Sequence, residues 1–181
     1  MKVSSEAFEA IFVFQGYILY HNRALYDQYE DSTLRMADID CYHRSLGWKG
    51  CGHHYVIPTD ETIEVGRPEE VKGAHCKNHN NHSIGVCYVG GLAADGKTPK
   101  DTRTEEQKRA LRMLTENLHK RYPMDLIVGH CVLEPNKPCC PGFDEVWVFR
   151  DLKPGALYQL MTDLLLRIIS QTSLTAPCPP L

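Results

Sequence analysis

The most constraining segment of this chain is Leu126-Ile127-Val128-Gly129-His130, followed after a short loop by Cys139-Cys140-Pro141-Gly142-Phe143-Asp144. Three consecutive apolar, largely β-branched residues before a glycine predict a buried strand. Its exit carries a histidine, and the returning loop carries thiols. Neutral imidazole and thiolate are donors that zinc prefers, so the segment supplies half of a metal site and requires a third ligand from elsewhere in the chain.

A chain of 181 residues is expected to close one core rather than two. Lys and Arg number 20 against 23 Asp and Glu, a net charge of -3. That near balance argues against a nucleic-acid binder, which needs a basic face to neutralise phosphates. No run approaches the roughly 18 apolar residues of a membrane span. The apolar stretch Ala10 to Tyr20 follows Lys2, Glu6 and Glu9 and precedes no small-residue cleavage motif, so it reads as a core strand and not as a secretory signal. The protein is therefore expected to be cytoplasmic when made and monomeric. Its cysteines (Cys41, Cys51, Cys76, Cys87, Cys131, Cys139, Cys140 and Cys178) are expected to be reduced, most as small buried apolar side chains and a minority serving metal or catalysis.

The pattern along the chain alternates strands and helices. Ala10 to His21 predicts a strand, Asn22 to Ser32 a polar irregular segment, and Thr33 to Leu46 a helix whose apolar face is Leu34, Ile39, Tyr42 and Leu46. His54 to Ile57 and Thr62 to Val65 predict a hairpin around Pro58 to Glu61, and Ser83 to Val89 a strand closed by Gly90-Gly91. Thr104-Glu105-Glu106-Gln107 is a capping box, opening a helix that buries Leu111, Leu114 and Leu118 and stops at Pro123. Leu126 to Val128 is expected at the centre of the sheet, and a last helix from about Ala156 to Ser170. The expectation is a single α/β domain over 1–173, a mixed central sheet flanked by helices, with a Pro-rich tail over 174–181.

Ligand-type residues gather at His21, at His53-His54, at His130 with Cys139 and Cys140, and in the polar loop His75 to His82. Any one histidine is more often a hydrogen-bonded or surface residue than a ligand, and spacing alone does not choose among nine. The runs Gly52-His53-His54-Tyr55-Val56-Ile57, Glu64-Val65-Gly66-Arg67, Ala74-His75-Cys76-Lys77 and Ser83-Ile84-Gly85-Val86-Cys87-Tyr88-Val89-Gly90-Gly91 resemble the zinc-dependent N-acetylmuramoyl-L-alanine amidases, the family of phage lysozyme-type amidases and peptidoglycan recognition proteins. Ile39 to Trp48 resembles that family's first helix and its exit, and Gly129-His130 with Cys140-Pro141-Gly142-Phe143-Asp144 its closing metal motif. The motifs run in the family's order from about Tyr17 to Asp144.

The resemblance implies hydrolysis of the amide between N-acetylmuramic acid and L-Ala of peptidoglycan stem peptides, with Zn2+ held by His21, His130 and Cys140. It implies Cys140 rather than Cys139 because Cys140 directly precedes the Pro-Gly-Phe-Asp run. His53 stands where phage-type members carry Tyr, and Cys87 where other members carry Glu. His53 is thus the implied proton-transfer group and Lys137 the implied stabiliser of the oxyanion. His75 and Asn80 match positions lining the substrate groove. The substitution at His53 also leaves open a non-catalytic peptidoglycan-binding or regulatory module. A closed structural zinc site completed by Cys139 or Cys131 is the third reading. Peptidoglycan or muropeptides are the implied partner, reached after release to the cell wall.

Overall fold

The computed structural model describes residues 34–95, 98–123, 126–134 and 140–152, with residues 17–23 and 146 as backbone. Five strands form one sheet: β1 (Tyr17–Arg23), β2 (Tyr55–Ile57), β3 (Glu64–Val65), β4 (Ser83–Val89) and β5 (Leu126–Gly129). Their order is β3-β2-β4-β1-β5. The pairs β1–β4, β1–β5 and β2–β4 are parallel, while β2–β3 is the antiparallel hairpin expected from the sequence. The sheet is mixed, as anticipated. The helices are α1 (Met36–Ser45), α2 (Glu105–Arg121) and two single turns, α3 (His130–Leu133) and α4 (Glu145–Val148), followed by a 3-10 turn at Arg150–Leu152. No described helix is long and apolar enough to cross a membrane. Lys137, Cys139, the helix expected over Ala156 to Ser170 and the tail over 174–181 lie outside the described residues.

Strand β4 organises the core because alternate residues point to opposite faces. Ile84, Val86 and Tyr88 join Ala110, Leu111, Leu114 and Leu118 of α2, with Phe143 and Phe149. Cys87 and Val89 join Leu34, Ile39, Cys51 and Val56 on the α1 side. The capping box forms as read: Gln107 N donates to Thr104 Oγ1 and Thr104 N to Gln107 Oε1, both at 3.0 Å. The Gln107 amide then donates to Val89 O at 2.8 Å and Ile57 O at 3.3 Å, tying the helix start to the ends of β4 and β2. Loss of such a cap costs about 1 kcal/mol.

Two expectations are corrected. Strand β5 pairs only with β1 among the described residues and lies at the edge of the sheet, not at its centre. Leu126 and Val128 are nonetheless buried, against Cys76, Val132 and Leu133, so apolar composition reported covered faces and not two strand neighbours. In α1, Ile39 and His43 face inward while Leu46 is 51% exposed. The helix stops at Ser45 with Leu46 as its C-cap, and Gly47 takes a left-handed φ of 83° that turns the chain away after it.

Candidate active site at the end of strand β5

Gly129 and His130 leave the sheet where the closing loop crosses it. A Cβ on Gly129 would lie 2.7 Å from Pro141 Cδ and 3.0 Å from Glu145 Oε1, so only glycine admits the loop so closely. Gly129 N donates to Glu145 Oε1 at 2.7 Å and Cys131 N to Cys140 O at 3.0 Å. The Tyr88 hydroxyl donates to Pro141 O at 2.5 Å. These bonds hold Cys140 against the turn that begins with His130, which is buried. Tyr20 pairs with Gly129 as the last pair of the β1–β5 register, so His21 follows Tyr20 in β1 as His130 follows Gly129; the His21 side chain is outside the described residues.

A second group of donors surrounds the same imidazole. Ligand atoms of Cys76, His130 and Glu134 all lie within 4.8 Å of one another. His130 Nε2 is 3.2 Å from Glu134 Oε2, and Lys77 N donates to Glu134 Oε1 at 2.6 Å. Burial pushes the Cys76 thiol up to about 12, with the Glu134 carboxylate adding to the rise. For Glu134, burial acts upward, but the Lys77 N–H and His130 outweigh it and leave the carboxyl below its ordinary range. Neither Cys76 nor Glu134 was singled out from the sequence. The available signals were the i,i+4 spacing of His130 and Glu134 and the place of Cys76 directly after His75.

The remaining rings form a row on the α1 side of the sheet. His43 stacks on Trp48 at 4.5 Å, His53 lies 5.9 Å from His43 and 6.0 Å from His75, and His75 meets His54 edge-on at 5.5 Å. His53 and His75 are both buried. The His75 ring fits over Gly73 and Gly85, where an added Cβ would come within 2.5 Å of it. Burial, then the His54 and His130 rings, depress the His75 pKa to about 3, so it is neutral at physiological pH. Asn80 Oδ1 accepts from His75 N at 2.8 Å and Cys76 N at 3.0 Å. It shapes the loop that presents His75. His54 differs from its neighbour: Nδ1 accepts from Gly85 N at 2.9 Å, which leaves Nε2–H to donate to Val71 O at 3.0 Å.

Beside this row opens a groove of about 650 Å3, lined by Asp40, Arg44, Trp48, Lys49, Arg67 and Lys72 among others. Ala74, which lines it, donates from N to Gly52 O at 2.9 Å. The groove is predominantly basic at its rim and has an aromatic wall in Trp48, which is 41% exposed.

The family model for N-acetylmuramoyl-L-alanine amidase matches residues 16–143, spanning the sheet, the groove and the closing motif. The chain belongs to this amidase family. It is 37% identical over 109 residues to an endolysin of Klebsiella phage KP32, covering 60% of this chain and 70% of that one. It is 32% identical over 135 residues to peptidoglycan-recognition protein SC2 of Drosophila melanogaster, covering 72% of this chain and 68% of that one. Among solved structures, an endolysin amidase, LysCS from Clostridium intestinale, superposes with a TM-score of 0.63 at 26% identity, over 78% of this chain and 86% of that chain. The protein is a peptidoglycan amidase, cleaving the bond between N-acetylmuramic acid and L-Ala of the stem peptide.

Proposed function

We propose that this amidase works with zinc held by His21, His130 and Cys140. The observation that carries the reading is the convergence at the end of β5: buried His130, His21 directly after Tyr20, the β1 partner of Gly129, and Cys140 drawn in by the Cys131–Cys140 backbone bond. Two imidazoles and one thiolate fit a catalytic zinc, which takes three protein ligands and keeps a position open. Zinc, when bound, supplies Lewis acidity toward the scissile carbonyl and acidifies water.

The chain's own groups do the rest. His53, set between the rings of His43 and His75, accepts a proton from the attacking water and returns it to the leaving L-Ala amine. The neutral ring of His75 lines the path to the scissile bond, with Asn80 fixing its loop. Lys137 is assigned to the developing oxyanion. The basic rim formed by Arg44, Lys49, Arg67 and Lys72 suits the carboxylates of a stem peptide, and Trp48 offers an apolar wall. The enzyme acts as a monomer on peptidoglycan or muropeptides, after synthesis in the cytoplasm and release to the wall.

The test is release of stem peptide from muropeptides, with zinc measured on the same preparation. Cys140→Ser and His21→Ala are each expected to lose turnover, whereas Cys139→Ser keeps it. Full turnover in Cys140→Ser with loss in Cys139→Ser would replace the thiol ligand proposed here.

A further inference from the structure

The donors around His130 outnumber what one catalytic zinc uses. The Cys140 loop is bonded to the turn that His130 begins, and His21 follows Tyr20, the β1 partner of Gly129. Cys76 and Glu134 approach the same imidazole from the loop before β4 and from the end of α3. Both are held in place: Asn80 Oδ1 anchors Cys76 N at 3.0 Å, Lys77 N binds Glu134 Oε1 at 2.6 Å, and Glu134 N donates to His130 O at 2.9 Å. The second carboxylate oxygen of Glu134 is thereby directed to His130 Nε2, 3.2 Å away. Cys76 is 2% exposed, so its thiol is shielded from bulk solvent and faces this cluster.

We propose that Cys76, His130 and Glu134 form a second metal position, selective for zinc-class divalent ions and sharing His130 with the catalytic set. The inference rests on the ligand assignment given above for that set. Donors on a tetrahedral zinc stand about 3.3 to 3.7 Å apart, given metal–ligand lengths of about 2.0 to 2.3 Å. The observed spread of no more than 4.8 Å closes to this with small side-chain rotations. A thiolate and an imidazole select zinc or cobalt over magnesium or calcium, and the carboxylate completes a mixed S, N, O set. Binding transfers the Cys76 proton to solvent. Because His130 belongs to both sets, an ion at the second position withdraws that imidazole from the catalytic set.

Cobalt is the probe, because thiolate–cobalt charge transfer reports sulfur ligation directly. Two backgrounds break the catalytic set by different routes, Cys140→Ser and His21→Ala. Each is expected to lose turnover yet bind one cobalt ion with a thiolate charge-transfer band. Adding Cys76→Ser should abolish that band in the Cys140→Ser background, where the thiolate of the catalytic set is already gone. Adding Glu134→Gln should weaken binding by at least about a hundredfold, since even outer partners of ligands cost 10- to 100-fold. Cobalt binding indifferent to Cys76 and Glu134, or no binding in either background, would overturn the proposal and leave Glu134 as a brace for His130. Full turnover in both backgrounds would overturn the catalytic assignment instead, a separate and distinguishable failure.

Discussion

His54 and His130 are both buried histidines at strand ends of the same sheet, one directly before β2 and the other directly after β5, and they are built for opposite ends. The nitrogens of His54 are committed to backbone, one accepting from Gly85 N and the other donating to Val71 O. Burial depresses its pKa, partly offset by the Val71 carbonyl, which keeps the ring neutral and the tautomer fixed. His130 instead faces the side chains of Cys76 and Glu134. The difference teaches that a histidine's role follows from what its nitrogens face. A ring bound by backbone locks a strand to a loop, whereas a ring facing other donors is available to a metal.

The sharpest way to break this comparison is to delete both rings in parallel. His130→Ala is expected to lower muropeptide cleavage by roughly three orders of magnitude, matching a Lewis-acid contribution of several kcal/mol, with the melting temperature of the metal-free protein little changed. His53→Ala comes next, with a drop of about 10²- to 10⁴-fold expected for loss of a proton-transfer group, and zinc content retained. Unchanged turnover in His53→Ala would remove that residue from the mechanism while leaving the ligand assignment intact. Both effects belong in the rate of hydrolysis and neither in the midpoint of unfolding.

His54→Ala should behave in the reverse manner. It leaves the buried Gly85 N–H without its partner, at a cost of about 1 to 3 kcal/mol, whereas the carbonyl of exposed Val71 can turn to water. Urea unfolding should show a stability loss on that scale, while the zinc affinity of the folded fraction stays within a few-fold. A variant that unfolds normally but loses zinc would erase the distinction between anchored and ligand-facing rings.

How far the sequence carried this division depends on how local each signal is. Helix α2 was legible to the residue, because Thr104, Gln107 and the leucines at 111, 114 and 118 encode a cap and a face within one segment. Strand β4 was equally plain, from its apolar run and the glycines behind it. The edge position of β5 was not legible, since its burial comes from Cys76, Val132 and Leu133 and not from a second strand. The inward turn of His43 was hidden for a similar reason: it depends on Gly52 N, nine residues later, donating to Nδ1 at 3.0 Å. At the site, the family motifs pointed to His130 and Cys140, but Cys76 and Glu134 meet only because the Lys77–Glu134 bond joins segments 57 residues apart. Periodicity cannot report a contact of that span.

The comparison extends to a carboxylate that, like His54, is fully engaged away from the metal donors. Glu69 accepts from both sides of the Arg121 guanidinium, at 2.6 and 2.7 Å, from the Tyr122 hydroxyl at 2.7 Å and from the Tyr55 hydroxyl. Burial works to raise its pKa, but Arg121, Tyr55 and Tyr122 together overcome that and bring it from 4.5 to about 2. A carboxyl depressed on folding stabilises the native state above its unfolded value and loses that contribution as pH falls through the folded one. The contribution of Glu69 is therefore full above about pH 4.5 and disappears toward pH 2. Glu69→Gln should flatten the acid limb of the stability curve across that window and leave the pH profile of muropeptide cleavage near neutrality in place. An altered cleavage profile with an unchanged acid limb would mean that Glu69 communicates with the site, and that complete hydrogen bonding does not by itself mark a group as structural.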